Sequence, residues 1–105
     1  MLITTTETIQ GKKYETLGLV KGNTIQSVHL GKDIMNSFKT IVGGELTSYN
    51  EMMNTARDLS VQRMISDAQA MGADAIICAR FSSATVAQGA AEIMAYGTAV
   101  KFIQE

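Results

Sequence analysis

Two hydrophobic periods alternate along the chain. Leu2–Ile9 is rich in Thr and Ile, which suits a strand. Gln10-Gly11-Lys12-Lys13 supplies a turn, and Tyr14–Val28 reads as a long strand region that Gly18 and Gly22-Asn23 interrupt with a bulge or a break. Over Gly31–Val42 the period changes. Ile34, Phe38 and Ile41 fall at i, i+4 and i+7 with Lys32, Asn36 and Lys39 opposite, the pattern of a short amphipathic helix, and Gly43-Gly44 is placed to stop it. Ser48-Tyr49-Asn50-Glu51 matches a capping box. A stripe of apolar or small residues follows at Tyr49, Met53, Ala56, Ser60, Met64, Ala68 and Met71, with Gly72 at its end. A helix over residues 48–71 would be about 36 Å long at the usual rise. That is long for a small domain, so one end is expected to project over a neighbouring subunit. Arg63 and Asp67 are expected to pair on its outer face.

Two strands close the chain, Asp74–Ser82 and Ala91–Ile103, joined by Ser83–Ala90. The order is therefore β-β-α-α-β-β, an α+β fold with a small antiparallel sheet, one short helix and one long one. In the last strand Ile93, Ala95, Gly97, Ala99, Lys101 and Ile103 share one face, and Glu92, Met94, Tyr96, Thr98, Val100 and Phe102 share the other. Two registers of opposite parity are open to this hairpin. The preferred one joins the Ala/Gly-rich set to Ala75, Ile77, Ala79 and Phe81, and so places Arg80 near Glu92 as a cross-strand ion pair. The long helix then covers the small face. The other face, with Cys78, Arg80, Glu92, Met94, Tyr96 and Phe102, has no segment left to cover it fully, so a partner subunit or a ligand is its natural cover.

Composition fits this picture. The 105 residues make one domain, 1–105, of expected radius of gyration about 13 Å, with 46% hydrophobic and only 18% charged residues. So few charges suggest that part of the surface is hidden by another subunit. Nine basic and ten acidic residues, a net charge of −1, argue against a nucleic-acid binder and against a polybasic membrane surface. The N-terminal residues lack a signal-peptide pattern, no stretch is long and apolar enough to span a membrane, and the single cysteine permits no intrachain disulfide. The expected compartment is the cytoplasm.

Chemistry is sparse. His29 and Cys78 are the sole His and Cys, and nothing has metal-ligand spacing. Met53, Met64 and Met71 lie on the helical stripe, where Met is an ordinary core filler, and Cys78 reads as a buried structural thiol. His29 reads as a strand-end hydrogen-bonding residue. Gly43-Gly44-Glu45 precedes a helix but lacks a nucleotide-loop pattern. Arg57 and Arg63 sit near Glu51, Asp58 and Asp67 on a solvated or intersubunit ion-pair face. Arg80, Glu92 and Tyr96 form the best polar set on a partly apolar face. No acid, base and nucleophile set is visible, which disfavours an enzyme.

The chain resembles the YbjQ-like family of small uncharacterised bacterial proteins. The resemblance rests on Gly43-Gly44-Glu45 before Tyr49, on Ala56-Arg57 and Arg63-Met64, on Gly72-Ala73-Asp74-Ala75 and Arg80-Phe81, and on Glu92-Ile93-Met94-Ala95-Tyr96-Gly97-Thr98-Ala99-Val100. It implies a dodecin-like subunit that assembles into a ring, a homopentamer, and it carries a heavy-metal-binding label. The combined expectation is a non-enzymatic homo-oligomeric ring that binds a small ligand or a metal at an intersubunit pocket, with Arg80, Glu92, Tyr96, Glu45 and Arg57 as candidate ligand-binding residues. The alternatives are a structural or regulatory protein-interaction scaffold and, behind it, an enzyme with a shared intersubunit site.

Overall fold

The structure is a computed structural model and describes residues 1–27, 41–42, 45–87 and 90–104. Its elements are β1 (Leu2–Ile3), β2 (Lys13–Ser27), β3 (Ile41–Val42), β4 (Glu45–Leu46), α1 (Thr47–Ala70), β5 (Ala75–Ala87) and β6 (Ala90–Ile103). Four strands form one mixed sheet in the order β1-β5-β6-β2, and β3 and β4 form a separate two-stranded ladder. The sheet departs from the all-antiparallel expectation at one edge, where β1 runs parallel to β5. Most of the short helix expected over Gly31–Val42 lies outside the described residues, as does His29. Its last two positions are strand: Ile41 pairs with Leu46 and Val42 with Glu45, as suits β-branched residues.

The long helix is where its periodicity put it. Met52, Met53, Ala56, Ser60, Met64 and Ala68 are buried, while Met71 stays 40% exposed just beyond the helix end. The stripe meets two clusters on one face of the sheet. Met52, Met53 and Ala56 pack on Ile93, and Met64 and Ala68 pack with Val20, Ile76, Ala95 and Ala99. The helix thus lies along the sheet and does not project. Arg63 and Asp67 serve β2, the edge strand. Asp67 Oδ2 accepts the Lys21 N–H at 3.1 Å, and Arg63 Nη1 donates to the Asn23 carbonyl at 2.6 Å. These bonds satisfy outward-facing backbone groups that an edge strand otherwise leaves open.

Both long strands carry bulges. In β2 the register against β6 shifts between Thr16 and Gly18, and Gly18 has a φ of 143° that suits glycine. Gly22-Asn23 causes no break, since pairing with β6 continues through both. In β5 the shift lies between Ile77, opposite Thr98, and Arg80, opposite Tyr96, so Cys78 and Ala79 together face Gly97. Cys78 takes a left-handed φ of 55° there. Gly97 makes room, because a Cβ on it would lie 2.8 Å from Ile76 Cγ2 and 3.0 Å from the Ile77 carbonyl oxygen.

This bulge overturns the single-parity reading of the last hairpin. Beyond it, Phe81 lies opposite Ala95 and Ser83 opposite Ile93, the preferred register. Before it, Ile76 lies opposite Ala99 and Ala75 opposite Val100, the rejected one. Both registers coexist because one extra residue exchanges the two faces of a strand. Ile76 joins the core under the helix, whereas Ala75 and Ile77 turn to the opposite face with Val100.

The N-terminal segment covers the lower end of that opposite face. Ile9 and Tyr14 pack with Cys78 and Phe102 against Ala75, Ile77 and Val100, and Lys12 Nζ stands 5.0 Å from the centroid of the Phe102 ring. The strand expected over Leu2–Ile9 shrinks to β1 because its threonines bond locally. The Thr6 N–H donates to Thr4 Oγ1, and Thr6 Oγ1 donates to the Thr8 carbonyl. The segment still tracks β5, since the Cys78 and Ala79 N–H groups donate to the Thr6 and Thr4 carbonyls. Above it, β5 and β6 continue as strand where a connecting loop was expected at Ser83–Ala90; of those positions, residues 88–89 lie outside the described set. The long strands stretch the fold to 58 × 26 × 17 Å with a radius of gyration of 17.0 Å, above the value expected for a compact chain of this length.

Candidate functional site

Among the described residues nothing covers the upper half of the sheet on the face away from α1. Register sets its side chains in rows across β5, β6 and β2: Arg80, Tyr96 and Lys21; then Ser82, Met94 and Asn23; then Ala84, Glu92 and Ile25. Leu19, beside Thr98, completes the face. Leu19 is 68% exposed and Ile25 56% exposed, while Tyr96, Met94 and Glu92 are half-buried. The face is therefore amphipathic, with apolar side chains at its ends and with Arg80 and Lys21 as the cross-strand neighbours of Tyr96.

Arg80, Glu92 and Tyr96 share this face, but the Arg80–Glu92 ion pair does not form. The cross-strand neighbour of Arg80 is Tyr96, and Glu92 lies opposite Ala84, four residues further along β6. That separation is roughly 13 Å at the usual strand rise. Arg80 turns instead to the sheet edge, where Nη1 donates to the Thr5 carbonyl at 3.0 Å and the Ala79 carbonyl at 2.9 Å. Glu92 Oε2 accepts a long 3.5 Å hydrogen bond from Asn23 Nδ2.

Arg57 belongs to α1, on the covered side of the sheet, and donates to Asn54 Oδ1 at 3.0 Å. Glu45 is in β4, paired with Val42. The five candidate residues are thus spread over both sides of the sheet. The β2 contribution (Leu19, Lys21, Asn23 and Ile25) was missed by a reading confined to the last hairpin. Its signal was the alternation of these positions with the buried Val20, Gly22 and Thr24.

Metal ligation was tested against the donor set. Among the described residues no three of His, Cys, Asp or Glu converge on one point. The half-buried Cys78 points its Sγ toward the Thr6 carbonyl, 3.8 Å away, and the buried Met52, Met53 and Met64 pack in the core. The described residues of one chain do not fit a metal site. No helix among the described residues is long and apolar enough to cross a membrane.

Fold and site define an α+β protein in which a long helix covers one face of a mixed sheet and, among the described residues, half of the other face stays open. The chain belongs to the YbjQ family, whose model, described as "Putative heavy-metal-binding", matches residues 1–103. A UPF0145 protein of Alkaliphilus metalliredigens is 59% identical over 103 residues, covering 98% of this chain and 100% of its own. A UPF0145 protein of Clostridioides difficile is 60% identical over 101 residues, covering 95% of this chain and 90% of its own. A crystal structure of a DUF74-family protein of unknown function from Pediococcus pentosaceus superposes with a TM-score of 0.65 at 17% identity, over 98% of each chain, and supports the fold.

Proposed function

We propose that the protein works as a non-enzymatic homo-oligomeric ring, five copies in the reading its family resemblance suggests, whose open sheet faces and edges meet to enclose a binding pocket for a small ligand. One observation carries this reading. Leu19 and Ile25 lie exposed beside Tyr96 and Met94 on the open face of the upper sheet. At its edge, Phe81–Ala87 is exposed along its whole length and holds no charged residue or proline. An unprotected edge and an apolar patch of this kind are ordinarily covered by another chain. Lys21, Tyr96 and Glu92 supply the polar groups for a ligand held between copies, and a metal shared by several copies needs only one ligand from each. The single cysteine suits a reducing compartment such as the cytoplasm.

Native mass spectrometry at micromolar concentration tests the assembly, and a monomer there defeats the reading. The Leu19→Lys/Ile25→Lys double variant should dissociate the ring. A thermal-shift screen of metabolites and metals then tests the pocket, with Tyr96→Ala and Glu92→Gln expected to reduce any shift. Elemental analysis should find about one ion per ring if a metal is the ligand. A ring that responds to nothing in the screen is the protein-interaction scaffold.

A further inference from the structure

The open face carries an unbalanced charge, and its sign points to a ligand class. Arg80 and Lys21 are the cross-strand neighbours of Tyr96, so one row sets two cations and a phenol side by side across β5, β6 and β2. Two strand spacings put the cations about 10 Å apart at the backbone. Among the described residues no carboxylate pairs with the Arg80 or Lys21 side chain, neither cation stacks on an aromatic ring, and no hydrogen bond takes the Tyr96 hydroxyl. Asp67 does reach Lys21, but at its backbone N–H and from α1. Glu92 lies two rows further along the face, where it accepts from Asn23. Arg80 uses only Nη1, for the Thr5 and Ala79 carbonyls. Those bonds hold the guanidinium in place and leave the N–H groups of Nη2 and Nε to donate.

We infer that the Arg80–Tyr96–Lys21 row binds a phosphate dianion, free or as the ester of a small molecule with an apolar body. This rests on the open face being the ligand site proposed above and names its ligand class. A phosphate ester carries nearly two negative charges at neutral pH and three strong acceptor oxygens, which match two cations and a hydroxyl donor. The Arg80 fork suits two oxygens of one phosphate, and Lys21 brings a point charge on a flexible stem. Leu19 and Met94, in the rows on either side, offer apolar contact to the body of an ester. The same two charges repel a metal cation.

Chemical-shift perturbation on the intact protein at low salt, in whatever assembly it adopts, tests this with phenyl phosphate, inorganic phosphate and the uncharged benzyl alcohol at millimolar concentration. Phenyl phosphate should perturb Tyr96, Met94 and Leu19. It should leave Phe102 and Ile103 unmoved, although these line a lysine-bearing pocket at the other end of the sheet. Lys21→Gln and Arg80→Gln should each weaken phenyl phosphate about ten-fold, while Lys21→Arg should stay within about two-fold of the parent protein. Tighter binding of phenyl phosphate than of inorganic phosphate assigns the row to an ester, and equal affinities assign it to the free ion. The inference is overturned if neither phosphate moves Tyr96, or if Phe102 and Ile103 respond alike, which is charge screening only. It is equally overturned if benzyl alcohol binds as tightly as phenyl phosphate, or if Lys21→Gln and Arg80→Gln change nothing. A monomer whose Tyr96 responds to phosphate supports the anion site and defeats the ring. A ring that binds a metal or an uncharged ligand but neither phosphate overturns the anion site alone.

Discussion

Gly22 and Ser60 meet where β2 crosses α1, and the contact is backbone against backbone. A Cβ on Gly22 would stand 2.3 Å from the Ser60 carbonyl oxygen and 2.4 Å from the Met64 backbone nitrogen. Neither atom can turn aside as a side-chain tip could. The close approach also brings the helix near enough for Asp67 and Arg63 to reach the Lys21 and Asn23 backbone.

Gly22→Ala should therefore lift the helix from the sheet. Overpacking of this kind costs about 1–3 kcal/mol, and the absence of a flexible neighbour puts this case at the upper end. Urea unfolding at fixed protein concentration measures it, and an unchanged midpoint would contradict the geometry.

Ser60 is fully buried, and its hydroxyl lies 2.8 Å from the Ala56 carbonyl and 3.0 Å from the Ile93 carbonyl. Its single proton is shared between helix and sheet. Ser60→Ala removes the hydroxyl that joins them and should cost about 1–2 kcal/mol. Thermal denaturation checks this, with no loss in melting temperature as the opposing result.

Cys78 combines a half-buried thiol with a left-handed backbone, and two substitutions separate the contributions. Alanine removes the thiol and keeps the backbone cost, whereas glycine removes both. Cys78→Gly should therefore be more stable than Cys78→Ala by about 1 kcal/mol. Equal unfolding midpoints for the pair would mean that the left-handed conformation is not held in solution.

Asp67→Ala frees the Lys21 amide from its acceptor on the helix. Hydrogen exchange at Lys21 should quicken, while Asp67→Asn, which keeps an acceptor oxygen, should retain most of the protection. The cost in global stability should stay at about 1 kcal/mol because the contact is exposed. Slow exchange at Lys21 in Asp67→Ala would show that another group covers that edge.

The contrast between α1 and β5 shows what a local pattern can carry. The stripe from Tyr49 to Ala68 was legible because a helix repeats by its own hydrogen bonds, so periodicity alone names the buried side. The small set on β6 (Ile93, Ala95, Gly97 and Ala99) was legible for the same reason, and it lies against the helix or the close-packed Ile76. In β5 the same reasoning failed at one residue. No glycine or proline marks the bulge at Cys78-Ala79, and every side chain from Ala75 to Ile77 exchanges face because of it.

The candidate site divides along the same line. The sequence by itself determined that Tyr96, Met94 and Glu92 share a face and that α1 is amphipathic, since both follow from periods internal to one element. Only the tertiary structure decided that Arg80 stands across from Tyr96 and bonds to Thr5, that the N-terminal segment covers Phe102 and Cys78, and that β2 contributes Leu19 and Ile25 to the open face. Those outcomes depend on register between strands distant in sequence. A register is chosen by which bulges the packed core will accommodate, here the space that Gly97 leaves opposite Cys78 and Ala79.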